Sequence, residues 1–93
     1  MYIGSLTIHL RIPQSRSLKD KRRIIKGIKE RLRQKFNISI AEVGDNDLWQ
    51  SALLGVAAVG NDRRFLESVL TQVDNYILSR PEVIVGETEW EWH

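Results

Sequence analysis

The apolar residues of this chain recur with a period of two near its start and with a helical period directly afterwards. Over residues 2–12, Leu6, Ile8, Leu10 and Ile12 alternate with polar residues, which is typical of a strand with one buried side. Pro13 ends this strand because proline cannot donate a hydrogen bond to a neighbouring strand. Over residues 18–36, the apolar side chains fall within about 120° of a helical projection; they are Leu18, Ile24, Ile25, Ile28, Leu32 and Phe36.

Four further segments follow the same reasoning. A short strand is expected over residues 38–43 and a longer, central strand over residues 49–59, joined at Gly44–Asp47 by residues typical of a turn. A last strand is expected over residues 83–92. Its Val83 and Val85 are out of phase with its tryptophans, so we expect a bulge at Gly86. A second helix is expected over residues 63–79, with an apolar stripe of Phe65, Leu66, Val69, Leu70, Val73, Tyr76 and Ile77.

Six elements in this order predict an α+β domain of ferredoxin-like β-α-β-β-α-β topology, with a four-stranded antiparallel sheet and two helices on one face. Right-handed crossovers place the first and third strands in the middle of the sheet. We expect one domain over residues 1–93. Because the chain has no cysteine, no secretory signal and no apolar run of about 20 residues, we expect a cytoplasmic protein without a membrane partner.

Charge is unevenly distributed along the chain, whose net charge is only +2. Residues 1–36 carry eleven Lys or Arg and two acids, whereas residues 37–93 carry three Arg and ten acids. Six cations share about 120° of the polar side of the first helix, which costs a few tenths of a kcal/mol per neighbouring pair. They are Lys19, Arg22, Arg23, Lys26, Lys29 and Arg33.

Phosphate oxygens are the partners that best compensate such crowding of positive charge, because binding them releases counterions. We therefore interpret these six residues as a nucleic-acid-binding surface. Three other interpretations stay open at this point: a solvated helix face, an internal partner for the acidic half of the chain, and a contact with an acidic protein.

Four short motifs resemble a bacterial family of unknown function, the YlxP-like domains. They are Ser17–Arg23, Phe36–Val43, Asp47–Gln50 and Leu54–Ala57. The resemblance implies a ferredoxin-like fold. It also implies a gene often found among transcription and translation factors, including a ribosome-binding factor of small-subunit maturation. It implies no known activity and no catalytic residues.

The predicted topology leaves the second face of the sheet open. Three carboxylates and the lack of an aromatic platform disfavour phosphate there. Leu53 and Val59 favour a modest self-association surface instead. The glutamates are interpreted either as protection of an edge strand or as cross-strand partners of His9 and Arg11. The expected open-face residues are Ser5, Thr7, His9, Arg11, Leu53, Gly55, Ala57, Val59, Glu87, Glu89 and Glu91.

Other candidate sites have simpler explanations. Glu42, Asp45 and Asp47 lack the calcium-loop pattern and predict a plain turn. His9 and His93 have no ligand motif beside them, and the aromatic residues are expected to pack in the core or at the sheet edge. Acylphosphatases share the topology but hold phosphate in a glycine-rich loop, and residues 11–16 contain no glycine. We expect no metal, cofactor, small-molecule substrate or catalysis.

The preferred interpretation is a non-catalytic RNA- or ribosome-associated accessory domain that binds the phosphate backbone through the helix of residues 18–36. The alternative is a self-associating or protein-binding module that uses the open sheet face, has no nucleic-acid role and forms a homodimer.

Overall fold

A computed structural model describes all 93 residues. The predicted order of elements is confirmed, and each predicted end lies within two residues of the observed one. The elements are β1 (Tyr2–Arg11), α1 (Leu18–Lys35), β2 (Ser39–Gly44), β3 (Ser51–Gly60), α2 (Arg63–Leu78) and β4 (Ile84–Trp92).

The four strands form one antiparallel sheet in the order β2-β3-β1-β4. The first and third strands are central, as predicted. In the β1–β3 pair, Leu6 lies opposite Val56 and Ile8 opposite Leu54, and all four side chains are buried. The register therefore directs one side of each central strand into the core and leaves the other side open.

Both helices pack on the same side of the sheet and share one hydrophobic core with β1 and β3. α1 contributes Ile25, Ile28 and Leu32, and α2 contributes Leu66, Leu70, Val73 and Ile77. The predicted N-cap is confirmed, since the Ser17 side chain accepts a hydrogen bond from the Asp20 amide at 3.0 Å. Asp62 caps α2 in the same way, accepting from the Phe65 amide at 3.2 Å.

A bulge in β4 explains the change of phase along that strand. Ile8 of β1 pairs with Thr88 and Leu10 pairs with Val85, so Gly86 and Glu87 together oppose His9. The extra residue shifts the alternation by one position. Val85 and Trp92 can therefore both pack against the core, although they differ in phase. The bulge predicted at Gly86 is confirmed.

One of the residues expected in the core is largely exposed to solvent. Phe65 of α2 is 65% exposed. The buried residues of α2 recur at Leu66, Leu70 and Val73, and Phe65 lies about 100° away from Leu66 around the helix. The predicted apolar stripe was therefore too wide, because the helix buries a narrower side than its apolar residues cover.

Candidate nucleic-acid interface

The six predicted phosphate ligands lie on the outer side of α1 and are called the basic stripe below. α1 turns its opposite side, with Ile25, Ile28 and Leu32, towards the sheet. Five members of the stripe are exposed and Lys29 is half-buried. The structure therefore brings the six positive groups together on one surface, as the spacing in the sequence predicted.

Acidic partners of the stripe are few and belong to α1 itself. Arg23 Nη2 lies 3.0 Å from Asp20 Oδ1, and Lys26 Nζ lies 3.9 Å from Glu30 Oε1. These two salt bridges are the only ones that residues of the stripe form. No stripe residue forms an ion pair with an acid of residues 37–93. The interpretation of the stripe as an internal partner of the acidic half is therefore wrong.

Arg33 has a role within the fold that the sequence did not reveal. Its Nη2 donates a 2.9 Å hydrogen bond to the backbone oxygen of Ile40 in β2. Because β2 is an edge strand, this contact places the stripe along the side of α1 nearest that edge. One guanidinium nitrogen of Arg33 is thus already hydrogen-bonded within the fold. The stripe residues whose side chains form no ion pair or hydrogen bond are Lys19, Arg22 and Lys29.

Another cation of α1, Lys21, was not singled out in the sequence and is completely buried. Its Nζ donates to Glu42 Oε2 at 2.7 Å, to Asp45 O at 2.8 Å and to Ser51 O at 3.1 Å. Glu42 is therefore an ion-pair partner of α1 rather than only a turn residue. A signal was present, because Lys21 precedes Ile25 by four residues and thus occupies the apolar side of the helix.

The β2–β3 loop, residues 45–50, is held in place by two side chains, Lys21 and Gln50, which donate hydrogen bonds to backbone oxygens. Lys21 reaches it from α1, and Gln50 Nε2 donates to the backbone oxygens of Pro13 and Ser15, each at 3.1 Å. Asp45 begins the loop with a positive φ of 58°, which aspartate tolerates better than most residues. The loop therefore abuts the beginning of α1, where the basic stripe starts.

Trp49 lies in this loop and not in β3, where the alternation placed it. Its side chain is 55% exposed, and that of Leu48 is 52% exposed. The expectation that the tryptophans pack in the core or at the sheet edge is wrong for Trp49. The loop leaves the strand pattern because its backbone oxygens turn towards Lys21.

The open face of the sheet carries the expected acidic row on β4. Glu89 lies opposite Thr7, and Glu91 lies opposite Ser5. One ligand atom from each of His9, Glu87 and Glu89 lies within 4.8 Å of the other two, so these three side chains could hold a divalent ion, a group that the sequence did not predict. His9 thus lies beside the glutamates of β4 but forms no hydrogen bond or ion pair with them, and Arg11 lies opposite Ile84 and forms no ion pair.

Neither helix combines the length and the apolar character needed to cross a membrane. The antiparallel sheet in the order β2-β3-β1-β4, covered on one side by two helices, defines the α+β class with ferredoxin-like topology. The fold resembles that of a de novo designed protein, Foldit4, with a TM-score of 0.55 over 98% of this chain and 96% of that chain. The two sequences are 15% identical, so this likeness concerns the fold alone.

A family model described as "Protein of unknown function (DUF503)" matches residues 3–90, and the chain belongs to this family. The chain is also similar to the uncharacterized protein YlxP of Bacillus subtilis (strain 168). The two are 43% identical over 76 residues, which cover 82% of this chain and 83% of that protein. The resemblance to YlxP-like domains is thereby confirmed.

Proposed function

We propose that this protein is a non-catalytic accessory domain that binds RNA, as free RNA or within a ribosomal subunit, through the basic stripe. The observation that supports this proposal is the lack of acidic partners for Lys19, Arg22 and Lys29 on an exposed helix face. The positive side chains on such a face repel one another, and bound phosphate oxygens reduce that repulsion.

The two ion pairs within α1 oppose phosphate binding only weakly. Arg23 and Lys26 are 76% and 74% exposed. Exposed pairs of this kind contribute about 0–1 kcal/mol because water and salt screen them. A phosphate can therefore replace Asp20 or Glu30 at low cost, and up to five stripe residues are available without breaking the Arg33 contact.

The open sheet face is a poorer candidate for the same ligand. Glu87, Glu89 and Glu91 form a row of negative charge there. The central strands carry small side chains on this face at Thr7, Gly55 and Ala57, and they present no Phe, Tyr or Trp there. A sheet that binds RNA usually offers aromatic residues on which bases stack. Phosphate is therefore expected on α1 and not on the sheet.

Co-sedimentation with ribosomal subunits at low salt tests the proposal. The test variant combines Arg22→Glu, Lys26→Glu and Lys29→Glu, and it should abolish co-sedimentation. The control variant combines Arg31→Glu, Lys35→Glu and Arg64→Glu, which changes the net charge equally outside the stripe. The proposal would be contradicted if both variants lost co-sedimentation equally, or if the wild-type protein itself did not co-sediment.

A second candidate function, self-association or protein binding through the open sheet face, rests on a different observation. A shallow depression of about 360 Å³ lies on that face, between Thr7, Ala41 and Gly55. Val43 and Val59 are exposed nearby. These small and apolar groups suit a flat protein contact rather than a nucleic acid.

A further inference from the structure

An exposed aromatic side chain stands on the tethered β2–β3 loop, beside a carboxylate. Asp47, Leu48 and Trp49 line a depression of about 400 Å³ together with Gln50 and Ser51. The depression is shallow, so a ligand would lie against its surface rather than inside it. Large apolar side chains exposed side by side on a defined surface are characteristic of binding sites.

The loop is fixed by contacts that stabilise its shape more than the fold as a whole. Burying Lys21 with Glu42 carries a desolvation cost, and replacing both residues of such a pair by apolar side chains of similar volume is often neutral or stabilising, although removing only one of them is not. The buried ammonium does, however, orient the backbone at Asp45 and Ser51, on both sides of Trp49. The indole is thus carried by a preorganised loop, which lowers the entropic cost of binding.

Asp47 supplies the polar half of the site. Its carboxylate forms no ion pair and no hydrogen bond within the protein. An ionised carboxylate only accepts hydrogen bonds. Among the RNA bases, guanine alone presents two adjacent donors, N1–H and N2–H, on its Watson–Crick edge. An aromatic ring on which a base stacks, with a carboxylate beside it, therefore matches guanine best.

We propose that Trp49 and Asp47 bind an unpaired guanine base, Trp49 by stacking and Asp47 by accepting from N1–H and N2–H. This inference rests on the proposed RNA function and extends it from the phosphate backbone to a base. The loop that carries Trp49 is tied through Lys21 to the first turns of α1, the helix segment in which Lys19 and Arg22 also lie. Phosphates that follow the bound base would continue along the basic stripe.

Fluorescence anisotropy with labelled oligonucleotides tests the base site at low salt. The probes are a short oligouridine and the same strand with one central guanosine. The wild-type protein should bind the guanosine strand about tenfold more tightly, the size expected from one stacked and doubly hydrogen-bonded base. Asp47→Asn should remove this preference and leave the affinity for oligouridine within about threefold, whereas Trp49→Ala should weaken the binding of both strands, because every base can stack on an indole ring. Phe65→Ala and Glu89→Gln, which remove an exposed ring and an exposed carboxylate elsewhere, should leave the preference intact.

Guanosine alone, without phosphate, separates this proposal from the one on which it rests. In ¹⁵N-resolved NMR spectra, guanosine should shift the indole N–H signal of Trp49, assigned with Trp49→Phe, and it should shift this signal more than uridine does at the same concentration. If no oligonucleotide binds but guanosine shifts this signal, the phosphate-binding function is wrong and the base site stands. If the oligonucleotides bind without a guanosine preference, or if guanosine leaves the indole signal unmoved, the base site is wrong.

Discussion

Lys21 and Glu42 form a salt bridge of 2.7 Å beneath the β2–β3 loop, with the lysine side chain completely buried and the glutamate side chain 14% exposed. Lys21 comes from the first turns of α1 and Glu42 from the edge strand β2. The pair therefore joins the helix that carries the basic stripe to the loop that carries Trp49. It links the two surfaces for which we propose roles in binding RNA.

Replacing Lys21 should destabilise the fold strongly. Lys21→Met keeps the aliphatic stem but leaves the Glu42 carboxylate and two close backbone oxygens without their donor. Breaking a buried pair in this way costs about 3–5 kcal/mol. Urea denaturation followed by circular dichroism measures the change. Lys19→Met is the control, since Lys19 is exposed, and it should change the free energy of unfolding by less than about 0.5 kcal/mol. Similar midpoints for the two variants would refute the structural role of Lys21.

Deleting Gly86 should be far more damaging than replacing it. The deletion removes the bulge, so Val85 and Trp92 can no longer both face the core. We expect a loss of at least about 2 kcal/mol, comparable to removing a large core side chain. Gly86→Ala should cost less than about 1 kcal/mol, because an added Cβ would meet His9 only at ordinary contact distances of 3.5 and 3.8 Å. Equal stabilities of the two variants in urea denaturation would contradict the bulge.

The Arg80–Glu82 pair should make a pH-dependent contribution to stability. Hydrogen bonding from Arg80 holds the pKa of the Glu82 carboxyl below its usual value. The contribution is therefore fully present above the unfolded pKa of about 4.3 and is lost as the pH falls through the lower pKa of the folded state. Glu82→Gln should lower the melting temperature at pH 7. The corresponding loss in the free energy of unfolding should be less than about 1 kcal/mol, because the pair is partly exposed. The difference from the wild-type protein should shrink as the pH falls below about 4. A difference that stays constant between pH 7 and pH 3 would contradict this account.

The alternative function makes a prediction of its own about oligomeric state. Self-association through the open sheet face predicts a dimer in light scattering at a protein concentration of about 100 µM. Leu53→Glu, which adds charge to the apolar part of that face, should then give a monomer. Thr71→Glu, on the exposed side of α2, is the control and should leave the dimer intact. A wild-type monomer at this concentration would remove the alternative.

The periodicity of apolar residues was sufficient to predict the six elements, their order and the bulge. The elements and the bulge follow from the side of each strand or helix that must be buried. The spacing of apolar residues that are close in sequence shows which side that is. Gly86 is the clearest case, because a mismatch of phase within one strand implies an extra residue. The outward placement of the basic stripe follows for the same reason.

The buried lysine and the exposed tryptophan could not be predicted in the same way. Lys21 falls on the apolar side of its helix, but its burial depends on acceptors in β2 and the following loop, more than 20 residues away. Trp49 fits the alternation of a strand, and only the tethering of the loop takes it out of the sheet. The omission of Lys21 and the error at Trp49 both concern contacts between distant segments, which a local pattern does not contain.

The salt dependence of RNA binding decides whether the basic stripe contacts phosphate. If four to six stripe residues contact phosphates, the logarithm of the affinity should fall with the logarithm of the salt concentration, with a slope of about −3 to −5. The variant with Arg22→Glu, Lys26→Glu and Lys29→Glu should bind weakly to every RNA sequence and show a flatter slope, because phosphate contacts do not read bases. It should also remain folded, since these residues pair with no acid outside α1. A folded triple variant that keeps the wild-type affinity and slope would contradict the account.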